Sequence, residues 1–444
     1  MSKTTTTARA PAPSGQDEPP AGRGPLAFLK VFGPGLITGA SDDDPSGIAT
    51  YSQAGAQYGY GLEWTLLFSW PLMCAIQEVS ARIGRVTGRG IAGNLKRAYP
   101  SSLVLSLVGL VLVANTINLG ADLGAMAAAL QLLIGGPLWL LIAAFAVASV
   151  ILEVFVSYKR YASILKWLAL SLLAYVAVAF AVKAPWGEVA FNLVAPSLKF
   201  DVGALTVVVA VLGTTISPYL FFWQASEEAE EVEDDPKAQA LRRSPDQAPE
   251  AFRRIRIDTY LGMALSNTVA LFIMIATAAT LHAHGVTNIQ TSSQAAEALK
   301  PVAGPLVFFI FAIGIVGTGL LAVPVLAGSA AYALAEVFGW KTGLDRSWRQ
   351  AKPFYAVIAI ATLVGGLINF SGLDPIKALF WSAVINGVVA VPVMVMMMHM
   401  SSHRKIMGAF SLSPGLKIAG WLATAVMAAA AIGMFATMAL GGAS

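Results

Sequence analysis

An all-α membrane protein with eleven transmembrane helices is predicted by three observations. Over 444 residues, 56% are hydrophobic and only 12% charged, about half the charged share of a soluble domain. Apolar stretches of about 20 residues, the length that spans a bilayer, recur near 27–56, 62–84, 102–133, 137–157, 161–183, 203–226, 257–283, 303–338, 353–372, 376–400 and 415–440. With the N-terminus inside, every Lys and Arg except Lys183, Lys199, Lys300 and Lys377 falls on the cytoplasmic side, out of 29 in all. That asymmetry is what membrane insertion requires, and moving the count by one helix reverses it for every later loop.

The elements follow in order. Residues 1–26 are rich in Thr, Ala, Pro and Gly, hold no apolar core and read as a disordered cytoplasmic tail. Residues 27–444 form the helical domain, whose last helix, about 415–440, stands apart from two sets of five, about 27–183 and 203–400. The first helix is interrupted at Ser41-Asp-Asp-Asp-Pro-Ser-Gly47. A carboxylate at the centre of a spanning helix costs about 2.5–3.5 kcal/mol on insertion scales, so Asp42, Asp43 and Asp44 imply a use. Pro45 removes a backbone donor and Gly47 weakens the helix. Helix 6 is interrupted at Gly213-Thr-Thr-Ile-Ser-Pro-Tyr219. Helices five apart run in opposite directions, and matching breaks in two inverted halves point to a transporter's substrate site.

Other features read more blandly. Cys74, the one cysteine, lies in an apolar run and excludes an internal disulfide. A net charge of +4 reflects cytoplasmic loops, and nucleic acid is not an expected partner. Glu227–Arg256, acidic then basic, reads as a solvated linker or an acidic vestibule that gathers cations. Glu78 is expected to pair with Arg82 at i+4. Met394, Met396, Met397, Met398 and Met400 point all round their helix and read as packing. His282-Ala-His284 makes a weak metal motif, and His399 and His403 lie near the cytoplasmic end of helix 10. No zinc-protease signature, nucleophile elbow or phosphate loop is present, so an enzyme is not expected.

Gly33–Gly55, which carries Asp-Asp-Asp-Pro-Ser-Gly-Ile-Ala-Thr and Gln-Ala-Gly, resembles the first helix of the Nramp family of divalent-metal transporters. Gln77–Arg89 resembles the end of helix 2, and Ala121–Pro137 resembles helix 3. The resemblance implies the leucine-transporter fold, a 5+5 inverted repeat plus one helix, in the bacterial inner membrane. It also implies alternating-access transport of divalent cations, with no cofactor and no obligatory protein partner beyond the ion and the lipid bilayer. Asp44 and Pro45 match the family motif, but its metal-binding Asn is Gly47. The Met-Pro-His of helix 6 is Ser217-Pro218-Tyr219, and one acid of the helix 3 pair is Leu119 beside Asp122. These departures resemble a divergent branch proposed to carry magnesium.

Loss of a thioether favours hard ions such as Mg²⁺ and Mn²⁺ over soft ones. Asp44 is expected as principal ligand. The carbonyls of Ser41 and Thr214 assist, as the resemblance implies, with Gly47 leaving room and the hydroxyls of Ser217 and Thr215 acting directly or through water. Asp43 lines the entrance, adds charge or pairs with a basic group. Asp122 is either functional or a buried acid bonded to Asn118. Asn386 either approaches the site or packs. Tyr219 replaces a group that titrates near neutrality, so proton coupling is expected to be weak or absent. A proton-coupled Mn²⁺/Fe²⁺ symporter and an organic-solute carrier of the same fold are the alternatives.

Overall fold

The computed structural model describes residues 34–156, 170–196, 201–234, 237–344, 346–372 and 374–441. The expected tail at 1–26 and the first half of the fifth expected helix lie outside them. The described secondary structure is helical: α1 (Pro34–Asp42), α2 (Pro45–Tyr58), α3 (Trp64–Thr87), α4 (Ile91–Ala98), α5 (Ser101–Ile134), α6 (Leu138–Phe155), α7 (Leu173–Ala181), α8 (Trp186–Val194), α9 (Val202–Thr215), α10 (Pro218–Asp234), α11 (Ala248–Thr280), α12 (Val307–Phe338), α13 (Lys352–Ile368), α14 (Pro375–Ser402) and α15 (Pro414–Gly441). Short turns of helix fill the connections.

Among the described residues, seven helices are long and apolar enough to cross a bilayer by themselves, the α9–α10 pair counted as one. The remaining expected spans have visible reasons for falling short. The first is split into α1 and α2. The inner half of α3 carries Gln77, Glu78, Arg82 and Arg85. α7 begins where the description resumes, and α13 has 17 residues. These elements lie at the expected positions, the fifth over its second half alone.

Both interruptions fall where the sequence places them. α1 ends at Asp42, and Asp44 caps α2 with a side chain that accepts from the Gly47 N–H. α9 ends at Thr215 and α10 restarts at Pro218. Both new half-helices begin on proline, which has no N–H to lose and a φ suited to a first turn.

Close backbone contacts pull these elements together. A Cβ on Gly39 would lie 2.3 Å from the Gly262 carbonyl carbon, so α1 crosses α11 backbone to backbone. A Cβ on Gly213 would meet the Ala383 carbonyl at 2.1 Å, so α9 crosses α14 equally closely. Small residues allow such approach within a membrane. α5 packs against α12, α14 and α13 and forms the wall behind the α1–α2 joint.

The stretch Glu227–Arg256 corrects the reading of a solvated linker. α10 runs on to Asp234 and α11 begins at Ala248. Glu228 is buried and takes Arg254 Nη2 at 2.6 Å, while Arg254 Nη1 reaches Glu231 at 2.9 Å. Glu228 and Arg254 pair across the two helices, while Glu231 and Arg256, 45% and 60% exposed, still face water. Glu78 and Arg82 pair as expected, at 2.5 Å.

Candidate functional site

Asp44 sits at the junction of four helices and is 1% exposed. Its two oxygens do different work. Oδ1 accepts from Ser46 Oγ at 2.6 Å and the Gly47 N–H at 2.7 Å, closing the cap of α2. Oδ2 faces away from its own helix and accepts from Asn118 Nδ2 of α5 at 3.1 Å and from the Tyr219 hydroxyl of α10 at 3.4 Å. The Tyr219 hydroxyl also lies 3.2 Å from the Ser41 carbonyl, at the buried C-terminal end of α1. A buried carboxylate is ordinarily paired with a cation. Asp44 is instead held by an amide, two hydroxyls and a backbone N–H.

Gly47 lets the two joints meet. A Cβ there would stand 3.0 Å from Thr214 Oγ1, 3.2 Å from the Asp42 carbonyl and 3.3 Å from the Tyr51 ring. Any side chain would press on all three. At the second joint, Ser217 Oγ donates to the Gly213 carbonyl at 2.6 Å and lies 2.9 Å from that of Thr214. Thr215 Oγ1 likewise donates to the Val211 carbonyl at 3.0 Å. These hydroxyls therefore satisfy the C-terminal end of α9 and keep their own lone pairs.

The remaining candidates divide. Asp122 lies one turn along α5 from Asn118, with Oδ2 3.5 Å from Asn118 Nδ2, and is fully buried. Among the described residues, Asp122 Oδ1 and Asn118 Oδ1 have no hydrogen-bond partner. Asp43 turns from Asp44 toward α11, where it and Asp42 share one donor: Ser266 Oγ is 2.5 Å from Asp42 Oδ2 and 3.2 Å from Asp43 Oδ1. Asn386 is buried on α14, its Oδ1 without a partner among the described residues, and it is not among the groups that hold Asp44. Among the described residues, no three His, Cys, Asp or Glu side chains converge on one point.

Sequence reasoning missed three partners. Ser266 carries no mark distinguishing it from other serines in apolar helices. Asn118 was legible only as a neighbour of Asp122 on its own helix. Met126, four residues beyond Asp122, reaches the same face of Gly319 as the Pro45 ring: a Cβ on Gly319 would lie 2.4 Å from Met126 Sδ and 3.3 Å from Pro45 Cγ. Its i+4 spacing from Asp122 was the available signal.

Paired broken helices around a buried carboxylate define a transporter of the inverted-repeat kind, and the chain is a multi-pass inner-membrane protein. The family model described as natural resistance-associated macrophage protein-like matches residues 35–437. The chain belongs to that family, Nramp, whose members are transporters and not enzymes. It is 25% identical over 415 residues to the divalent metal cation transporter MntH of Deinococcus radiodurans, covering 92% of this chain and 89% of that one. To MntH of Burkholderia ambifaria it is 27% identical, covering 91% and 88%. A crystal structure of a mutant of the Eremococcus coleocola manganese transporter superposes with a TM-score of 0.73 at 16% identity, covering 92% and 86%. MhsT in complex with L-phenylalanine superposes with a TM-score of 0.62 at 15% identity, covering 91% and 97%. The leucine-transporter fold that the resemblance implied is the fold observed.

Proposed function

We propose that this chain moves divalent metal cations across the membrane by alternating access, that Asp44 is the principal ligand, and that hard ions, Mg²⁺ and Mn²⁺, are preferred. The observation that carries the reading is Asp44 Oδ2: a buried carboxylate oxygen, free of its own helix cap, held among the described residues by an amide and a phenol hydroxyl. Oxygen donors suit Mg²⁺ and Mn²⁺, and Mg²⁺ is held by one or two carboxylates while keeping several waters. The half-helix ends support the same reading. The Ser41, Gly213 and Thr214 carbonyls end α1 and α9, where the helix dipole is negative and favours a cation.

The roles follow from position. Asp44 Oδ2 exchanges the Asn118 amide and the Tyr219 hydroxyl for the ion. The Ser41 and Thr214 carbonyls and the Ser217 hydroxyl complete its shell, directly or through water, and Gly47 leaves the space. Asn118 Oδ1 and Asp122 Oδ1, both without a partner among the described residues, stand beside the same carboxylate and become available once the Asn118 amide turns. Asp43 adds negative charge to the approach, and Asn386 remains a packing amide at the helix crossing. With Tyr219 at the helix 6 position, transport is weakly coupled or uncoupled to protons. Residues 27–183 and 203–400 act as the two repeats, with 415–440 outside them.

A second reading rests on Met126. Its sulfur lies beside Pro45, and a thioether there favours softer ions such as Fe²⁺, as in a proton-coupled Mn²⁺/Fe²⁺ symporter. One experiment separates the two: uptake of Mg²⁺, Mn²⁺ and Fe²⁺ into proteoliposomes with internal pH recorded. Mg²⁺ uptake without stoichiometric acidification supports the hard-ion reading. Uptake of Fe²⁺ and Mn²⁺ alone, with acidification, refutes it.

A further inference from the structure

Far from the joints, at the cytoplasmic end of α14, His399 and His403 lie four residues apart. His399 lies in the last turn of α14 and His403 is the residue that ends it, its backbone already extended at φ −91° and ψ 117°, and the fold still brings the two rings together. The two ring centroids are 4.2 Å apart. Both side chains are exposed. His403 Nδ1 lies 2.8 Å from the His399 carbonyl. A carbonyl can only accept, so Nδ1 carries the proton and the lone pair of His403 is on Nε2. His399 Nδ1 lies 2.5 Å from the hydroxyl of Tyr99, in the link between α4 and α5. That hydroxyl can accept from Nδ1–H, and in that tautomer the lone pair of His399 is on Nε2 as well. A ligating histidine ordinarily donates its other ring N–H to such an oxygen, which sets its tautomer and orientation.

We infer that His399 and His403 form a two-imidazole site for a borderline divalent cation such as Zn²⁺ or Cu²⁺, with Tyr99 orienting the first ring and water filling the other positions. The ion class differs from that proposed for Asp44, because imidazole suits Zn²⁺ and Cu²⁺ where carboxylate and carbonyl suit Mg²⁺ and Mn²⁺. The external pair offers no such geometry. His282 and His284 are two residues apart, and their Nδ1 atoms turn to different carbonyls, those of Ala56 and Thr280.

The test uses full-length protein without a histidine tag, in nanodiscs, with Cu²⁺ as the spectroscopic probe and Zn²⁺ for affinity. Wild type is expected to give an electron paramagnetic resonance signal with two imidazole nitrogens on one Cu²⁺. His399→Ala and His403→Ala each remove the paired signal and weaken Zn²⁺ binding more than about tenfold. Tyr99→Phe keeps both nitrogens and weakens Zn²⁺ about tenfold, as loss of an orienting partner does. A wild-type spectrum lacking paired nitrogens, or a paired signal that survives in the double variant H399A/H403A, overturns the inference.

Discussion

The two broken helices solve the same problem in different ways. Each must satisfy the backbone groups freed at a break within the membrane, where water is not available to do it. The α9–α10 joint does so from within: the hydroxyls of Thr215 and Ser217 fold back on carbonyls of their own helix. The α1–α2 joint depends on the rest of the molecule. Asn118 and Tyr219 hold the free oxygen of Asp44, and Ser266 serves both Asp42 and Asp43. A joint that is closed on itself can be a fixed wall. A joint whose charge is held by neutral groups on other helices can exchange those groups for an ion.

Substitutions at the two joints should therefore differ in kind. The largest effect is expected for Asp44→Ala, which should reduce Mg²⁺ and Mn²⁺ uptake in proteoliposomes to that of empty vesicles; normal uptake would move the site elsewhere. Ser217→Met comes next. It adds a thioether to the self-contained joint and should raise Fe²⁺ or Co²⁺ uptake relative to Mg²⁺ by about tenfold, since softer donors favour those ions. An unchanged ratio in competition assays would place the second joint outside the ion's shell. Asn118→Ala removes the nearest donor to Asp44 Oδ2, a change of about 1–3 kcal/mol for a buried acceptor. It should alter the KM for Mg²⁺ by about tenfold with a smaller change in maximal rate. The smallest effect on transport is expected for Ser266→Ala. Its loss leaves Asp42 and Asp43 without their shared hydroxyl and should cost about 1–3 kcal/mol of stability, read as a lower thermal midpoint in detergent. If transport falls more than stability, these acids contact the ion's path.

What was legible in the sequence follows the range of the interactions. The breaks are local: acid, proline and glycine stand within a few residues, and both fell where expected. The cap that Asp44 places on α2 uses equally near neighbours, Ser46 and Gly47, but is not among the expectations. The Ser266 bonds join residues 224 and 223 positions apart, and periodicity along one helix says nothing about the partner helix it meets. The charge run at Glu227–Arg256 departs from its expected linker for the same reason. Composition shows alternating blocks of charge, but only the antiparallel return of α11 beside α10 brings Arg254 onto Glu228. Asn386 is buried, as either of its expected roles requires, yet its helix crosses α9 through Gly213 and Gly387, a contact that hydropathy does not encode.

The seam between α1 and α11 has a mechanical consequence. Gly35, Gly39 and Asp42–Asp43 lie along one strip of α1, and Asp258, Gly262 and Ser266, each four residues from the last, along the facing strip of α11. Asp258 takes the Gly35 N–H at 2.7 Å, Gly39 abuts Gly262, and Ser266 holds the two acids. Three fastenings in register join the two helices along the length of α1. Any displacement of α1 therefore either carries α11 with it or breaks these contacts.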